Sequence, residues 1–504
     1  MKYLLGIDSG GTLTKAALYD IEGNEIFVAE EPLDTIFPMT GYNERDFNQF
    51  RNCNISVIRR VVSRSGVRPS DIIGIAVAGQ GNGLYLFDEN GHSVRNPILS
   101  GDMRAKEYVE KWYADGTAKK IAQKTKGSLW AGQTAVLMSW MAEHEPESME
   151  KTKYAVTCKG YIGYLLTGKF CMEMGEASSI GCMDLEKRAF DPELLALMGI
   201  KKYFNKLVPV IESTDIAGYV SKEAAELTGL KEGTPVMGGM FDIAACAVAT
   251  GVVDPKLLCV VVGTWGINEY IDDKVLTDEN FFMSTDFCIQ NYYLMTEGST
   301  TSAVNLEWFI RNLMQGEKQM EQERGSSVYD LVNGMVASIK PDESSIIFLP
   351  FLFGSNVSQY AKGAFLGLSG IHTKAHMLRA VYEGVVFCHK YHIEKLFQYK
   401  NDFTKIRISG GASKSKEWVQ MFADIIQLPV EVSGKTELGT MGAAMCAGVG
   451  ANVYDDMQEA ARIFVDVAEI YEPNPVYRKI YEEKYRNYKE ILKALNGTWE
   501  NFKN

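Results

Sequence analysis

No run of apolar residues in this 504-residue chain approaches the length a bilayer demands. The stretches at 257–262 and 346–353 are far too short for a spanning helix, and Pro350 breaks the second. Positive charge is also scarce. With 52 Lys and Arg against 64 Asp and Glu, the net charge of −12 excludes a broad nucleic-acid surface or an anionic membrane as partner, since both need clustered Lys and Arg. Small anions need only a local donor pocket and stay in play. Paired cysteines are missing too: the nine are scattered and never spaced Cys-x-x-Cys, as free thiols in a reducing compartment would be. Asp8 interrupts the apolar residues after Lys2, so no secretory segment is expected and the expected location is the cytoplasm. Of the six histidines, His372 and His376 are four apart, but no third ligand is suitably spaced and the Glu of His-Glu-x-x-His is lacking. They read as a helix-entry pair.

What is present is ordinary globular composition, 46% apolar and 23% charged, in a chain too long for a single core. Two domains of similar size follow. The most informative segment is Gly6-Ile7-Asp8-Ser9-Gly10-Gly11-Thr12-Leu13-Thr14-Lys15, where a strand entry and one acidic residue meet a glycine turn and several donors. Glycines bring backbone N–H groups against oxygens, and Thr12, Thr14 and Lys15 can donate to charged oxygen. Asp8 repels phosphate directly, so its presence calls for a divalent cation such as Mg²⁺ between them. The spacing is neither Gly-x-Gly-x-x-Gly nor a P-loop, and by itself the segment also fits a plain hairpin.

Farther along, residues 3–30 read as a strand meander, 48–65 as a helix and 72–78 as a buried strand. That strand runs into the polar loop Gly79-Gln80-Gly81-Asn82-Gly83, at a carboxyl end where open α/β sheets hold ligands. After Gly251 the plan restarts: a β-branched strand at 257–262 enters the turn Gly263-Thr264-Trp265-Gly266. Strands at 405–409 and 430–432, the turn Gly410-Gly411-Ala412-Ser413 and a small-residue helix at 439–448 follow. The repeat predicts two similarly built halves with a ligand cleft between them, 1–246 and 247–504. Asp242 follows Gly238-Gly239 and opens an Ala-rich helical stretch. It reads both as a helix cap and as a general base kept ionised by the helix's positive end.

At these residues the chain resembles the FGGY family of carbohydrate kinases, within the actin-like and hexokinase-like ATPases. The family's C-terminal signature lies on Gly363–Leu368 and His376–Glu383, while the N-terminal one, on Thr134–His144, has Leu137 in place of the usual Lys. The resemblance implies an α/β fold of two actin/hexokinase-like (ribonuclease H-like) domains with a central interdomain cleft. It also implies that 1–246 carries the sugar, Mg²⁺ and phosphate side and 247–504 the ATP side. Carried over by residue, it makes Asp8 the Mg²⁺-associated carboxylate, with Gly10, Gly11, Thr12 and Lys15 near the phosphates of ATP. Asp242 becomes the base, and Gln80, Asn82 and Asp102 hold sugar hydroxyls together with Asp242. Gly263 and Thr264 form the second phosphate turn; Gly410, Gly411 and Ser413 form the adenosine-side turn.

Within the family, segments 78–83, 238–242, 263–265, 305–309 and 348–356 look most like kinases of L-xylulose and 3-keto-L-gulonate. The glycerol kinase pattern, with Arg and Glu beside the Gln, is absent. The implied reaction is ATP-dependent phosphorylation of a terminal hydroxyl of a small ketose such as L-xylulose. Erythritol, D-xylulose or ribulose as acceptor, and a non-catalytic sugar sensor of the same fold, remain alternatives. A chaperone-type ATPase would need a peptide-binding module that the remaining single helix does not provide. Homodimerisation is left open.

Overall fold

The computed structural model of the protein describes residues 1–276, 281–355, 357 and 360–502; Asn356 of the resemblance segment lies outside the described residues. The chain divides into two compact units. Met1–Val253, Ile271–Met295 and Lys435–Asp466 form the first; Asp254–Tyr270, Thr296–Gly434 and Val467–Asn504 form the second. None of the described helices is long and apolar enough to cross a membrane.

In the first unit, Tyr3–Ser9 (β1) is buried at nearly every position, as suits a strand covered on both faces. It continues into the antiparallel Leu13–Asp20 (β2) and Glu25–Pro32 (β3). Helix Phe47–Arg64 (α1) starts where Asp46 accepts the Gln49 N–H at 2.7 Å, and it turns Phe50, Ile55, Val57, Ile58, Val61 and Val62 inward. Ile72–Gly79 (β4) then lies parallel to β1. Helices Cys158–Thr167 (α2) and Met174–Ser179 (α3) precede Ile216–Tyr219 (β5), Pro235–Met237 (β6) and Met240–Phe241 (β7), and Asp242–Ala249 (α4) closes the run. The strand order is β5-β6-β4-β1-β2-β3, with β7 pairing beside β4 in this seven-stranded sheet.

The second unit repeats the plan. Leu257–Val262 (β8) pairs antiparallel with Gly266–Asp272 (β9) and parallel with Lys405–Ser409 (β10). Val430–Val432 (β11) lies parallel to β10, and Glu469–Tyr471 (β12) antiparallel to β11. The order β9-β8-β10-β11-β12 therefore matches β2-β1-β4-β6-β5 in strand direction, as the restart after Gly251 predicts.

Residues 435–466 join the first unit because their helix, Leu438–Gly450, is built of small residues and packs backbone to backbone. A Cβ on Gly6 would lie 1.8 Å from the Thr440 carbonyl oxygen, and one on Gly442 2.2 Å from that of Ala245. The helix thus lies against β1 and α4, the two elements that carry Asp8 and Asp242.

Candidate active site

Strand register gathers the first group of residues. Asp8 of β1 stands beside Ala78 of β4, and Ala78 beside Met240 of β7; one residue on, Ser9, Gly79 and Phe241 form the next row. Gly10, Gln80 and Asp242 therefore leave the sheet at one edge, the carboxyl ends of three parallel strands. Gly239 makes the approach to Asp242 possible. It sits at φ 78°, and a Cβ there would lie 2.0 Å from the Val77 carbonyl oxygen.

Across the hairpin, Lys15 pairs with Asp8 in register. Its ammonium lies 2.8 Å from Glu437 and 3.7 Å from Glu30. Burial lowers its proton affinity, but the hydrogen bond and charge of Glu437 outweigh that, so the group is held above its usual value. Thr12 is exposed at the turn. Thr14 is not part of the donor set: its hydroxyl points inward and donates to Asn54 at 2.8 Å. Arg45, fully buried, donates to the carbonyl oxygens of Gly10 and Gly11 and so turns those carbonyls away from solvent.

The carboxylates are short of cations. Burial raises Asp8 to about 6, with Lys15 partly offsetting it, and its Oδ1 is buried without a hydrogen-bond donor. Asp242 is pushed up to about 8 by burial first and by the charge of Asp8 second; the Ile243 N–H, 2.8 Å from Oδ1, only moderates this. The helix N-terminus therefore does not keep Asp242 ionised in the free protein, contrary to the sequence reading. Burial and a neighbouring anion outweigh a dipole whose effect is worth ~1 kcal/mol. Glu176 adds further negative charge nearby. Lys159, buried in α2, lies 3.3 Å from Glu176 and 3.8 Å from Glu173 and donates to the Gly238 carbonyl at 3.1 Å.

Among the described residues no group of three or more His, Cys, Asp and Glu side chains is arranged to hold a metal by itself. One buried carboxylate with a free oxygen fits a cation held mainly by phosphate and water. His372 and His376 are indeed a helix-entry pair: Thr373 and His376 form a capping box on helix Lys374–Phe397.

The expected sugar ligands fare unequally. Gln80 donates to Ser100 Oγ at 2.5 Å, leaving its carbonyl oxygen facing Gly11. Asn82, at φ 61°, is buried with long bonds to Ser179 (3.2 Å) and Thr134 N–H (3.4 Å), so both ends of its amide keep capacity. Asp102 does not fit its expected role. Its oxygens already accept from Asn43 N–H (2.7 Å), Arg104 N–H (2.8 Å), Arg104 Nε (2.9 Å) and Arg104 Nη2 (2.9 Å). Four donors fill a carboxylate, so Asp102 ties the Asn43 loop to Arg104 and has no lone pair for a hydroxyl.

In the second unit, β8 and β10 run parallel with Val261 beside Ser409, so Gly263-Thr264 and Gly410-Gly411 emerge side by side. Gly410 is at φ 88°, and a Cβ there would lie 2.5 Å from the Val262 carbonyl oxygen. Thr264 and Gly411 are exposed, while the Ser413 hydroxyl donates back to the Gly410 carbonyl at 2.8 Å. A cavity of about 640 Å³ elsewhere in the first unit, lined by Arg51, His92, Tyr161 and Tyr164 among others, contains none of the expected site residues.

Two edges of parallel strands, each ending in glycine and hydroxyl turns, agree with the sequence families that match. Residues 3–249 match the FGGY family of carbohydrate kinases, N-terminal domain, and residues 258–451 match its C-terminal domain. The chain belongs to the FGGY family of carbohydrate kinases. It is a sugar kinase, and kinase chemistry implies use of ATP. This FGGY kinase is 36% identical to the L-xylulose/3-keto-L-gulonate kinase of Escherichia coli (strain K12), covering 98% of both chains. It is 36% identical to the probable L-xylulose kinase of Pasteurella multocida (strain Pm70), covering 99% of this chain and 100% of that one. Among solved structures, xylulose kinase from Rhodospirillum rubrum superposes with TM-score 0.89 at 25% identity, covering 99% of this chain and 100% of that one.

Three features that pack around the expected site residues are not legible in the sequence: Arg45, Glu437, and the Lys159–Glu176 pair. None sits in a glycine motif, and each acts on residues remote in the chain; only the cap at Asp46 marks Arg45's neighbourhood. Leu137, where the signature departs, is fully buried in helix Thr134–His144, so the departure is a core substitution. If the Gly10–Gly11 turn holds ATP phosphate, as the resemblance implies, Arg45→Met should raise the ATP KM about tenfold, because the Gly10 and Gly11 carbonyls lose charge-assisted donors that hold the turn. Steady-state kinetics in ATP checks this; an unchanged ATP KM would show that the turn stands without Arg45.

Proposed function

We propose that this FGGY kinase transfers the γ-phosphoryl of MgATP to a terminal hydroxyl of a small ketose, a pentulose such as L-xylulose, with Asp242 as general base. The observation that carries the reading is Asp242 itself. It opens α4 two residues beyond the sheet row of Asp8, with its proton affinity raised to about 8, suited to taking a hydroxyl proton near neutral pH. The acceptor is chosen by analogy with the two relatives named for L-xylulose.

In this reading Gln80 and Asn82 hold the sugar hydroxyls, while Asp102 ties the Asn43 loop to Arg104. Asp242 accepts the proton of the attacking hydroxyl, whose oxygen bonds to the γ-phosphorus as the bond to ADP breaks. Gly11, Thr12 and Lys15 in the N-terminal half, 1–246, and Thr264 in the half 247–504 donate to phosphate oxygens, while the Gly10 and Gly263 N–H groups close their own turns on the Leu13 (2.9 Å) and Trp265 (3.1 Å) carbonyls. Alignment and charge stabilisation are most of what such a transfer asks of a protein. Gly410, Gly411 and Ser413 flank the adenosine. Asp8 would hold Mg²⁺, which would supply positive charge against the phosphates and against the carboxylates of Asp8, Asp242 and Glu176.

Product formation measured over D- and L-xylulose, D- and L-ribulose, erythritol and 3-keto-L-gulonate tests the reading. The expected result is the highest kcat/KM with a pentulose. Preference for erythritol would move the acceptor class, and ADP release that no sugar stimulates would remove sugar kinase activity from this list altogether.

A further inference from the structure

We propose that His389 is a positioning residue for the Gly263–Thr264 turn, acting through Ser302; this rests on the reading of that turn as a nucleotide-phosphate turn. His389 lies within helix Lys374–Phe397 and is 3% exposed, and Ser302 is 1% exposed, so neither reaches a ligand directly. The imidazole spans two partners, with Nδ1 2.8 Å from Asn268 Oδ1 and Nε2 2.8 Å from Ser302 Oγ.

The direction of these bonds follows from their neighbours. Asn268 Nδ2 donates to the Glu297 carbonyl at 3.4 Å, which leaves its Oδ1 to accept from His389 Nδ1–H. His389 Nε2 then carries the lone pair and accepts the Ser302 hydroxyl proton. Burial, and secondarily the charge of His392, depresses His389 to about 3, so the ring stays neutral. His392 itself bonds Glu297 at 2.9 Å, and Lys395 lies 3.3 Å from the same carboxylate.

Ser302 passes the constraint to the turn through its backbone. Its N–H donates to the Thr264 carbonyl at 3.0 Å, and the next N–H, of Ala303, donates to the Gly263 carbonyl at 2.9 Å. Asn305 fixes the same segment by donating to the Ser302 carbonyl at 2.8 Å and Thr301 Oγ1 at 2.7 Å. The carbonyls of Gly263 and Thr264 are thus drawn to the 302–303 backbone, while Thr264 stays exposed. Gly266 lets the ring approach: a Cβ there would lie 2.9 Å from His389. A buried polar chain whose members are all bonded holds its geometry tightly, and removing the central member leaves two partners unpaired.

The test uses His389→Leu, Ser302→Ala, Thr264→Ala and His389→Gln in the full-length kinase. His389→Leu and Ser302→Ala should each raise the ATP KM about 5–30-fold with sugar KM within twofold, and speed hydrogen exchange of the Ser302 and Ala303 amides about tenfold. His389→Gln, whose amide reaches the Nε2 position, should recover part of the loss. Native ATP KM and native exchange in either of the first two variants overturns the proposal. Where His389→Leu does not accumulate folded protein, Ser302→Ala, which removes one oxygen, decides. Thr264→Ala separates the two claims. If it leaves the ATP KM unchanged, the phosphate-turn reading fails; if it alone raises the ATP KM, only the role of His389 fails.

Discussion

An Asp242→Asn enzyme is expected to turn over its sugar roughly 10²–10⁴-fold more slowly than the native kinase and yet to melt at a higher temperature. On the proposed mechanism the rate loss follows from removing the proton acceptor while leaving an amide of the same shape, so ATP and sugar should still bind by calorimetry. The stability gain follows from the carboxyl's environment. Its ordinary value is 3.8 and its folded value about 8, so between those pH values the folded protein holds a proton that the unfolded chain has released. Native stability from this group is therefore fully present below about pH 4 and lost as pH rises toward 8. The variant lacks that slope, so the gap in melting temperature should be small at pH 4 and widest at pH 8. A kcat within tenfold of native would put the base elsewhere. A variant that melts below the native protein at pH 8 would refute the argument from burial.

Gly439→Ala should abolish most activity while leaving the fold almost untouched, the opposite balance to a core mutation. Gly439 lies in the first turn of helix Leu438–Gly450, where a Cβ would lie 2.1 Å from Asp8 Oδ2 and 2.5 Å from its Cγ. The carboxylate must swing aside, which a side chain does cheaply. Alanine also favours the helix by ~1 kcal/mol over glycine, so the melting temperature should hold. The carboxylate, however, leaves the position from which, on the proposed mechanism, it meets a metal-bound phosphate, and ~1 Å of misplacement costs on the order of 10²-fold. Titrating kcat against Mg²⁺ checks this: the variant should need more cation and reach a lower plateau. Native kcat with a native Mg²⁺ requirement would mean that Asp8 is not the carboxylate that matters.

Local pattern carried the elements well where it was strong. The strands Leu257–Val262, Lys405–Ser409 and Val430–Val432 coincide with their sequence readings, because apolar β-branched runs bounded by glycine or polar residues admit few alternatives. Turns at carboxyl ends were legible for the same reason. The expectation for Thr14 fails on strand alternation: neighbouring strand residues face opposite sides, so once Lys15 faces Asp8's side, Thr14 cannot join it. Asp102 was beyond reach, because an acidic residue two before an arginine looks the same whether its lone pairs are free or filled. The same holds for Arg45 and for Glu437, which lies 422 positions from the lysine it pairs with. The titration of Asp242 depends on what is excluded around it, and a linear string records no dielectric.

The interleaving of the first unit has a temporal consequence. Its opening segments end at Val253, but the helix that covers β1 and supplies Glu437 is not made until some 180 further residues have left the ribosome. At ordinary synthesis speeds of ~5–20 residues per second that is a wait of about 10–40 s. During it the glycine-lined backbone of Gly6 stands open, and the intervening stretch emerges first as a continuous piece. Birth order and native architecture are thus out of step, and a truncated product ending before Lys435 lacks the helix that seals its oldest strand.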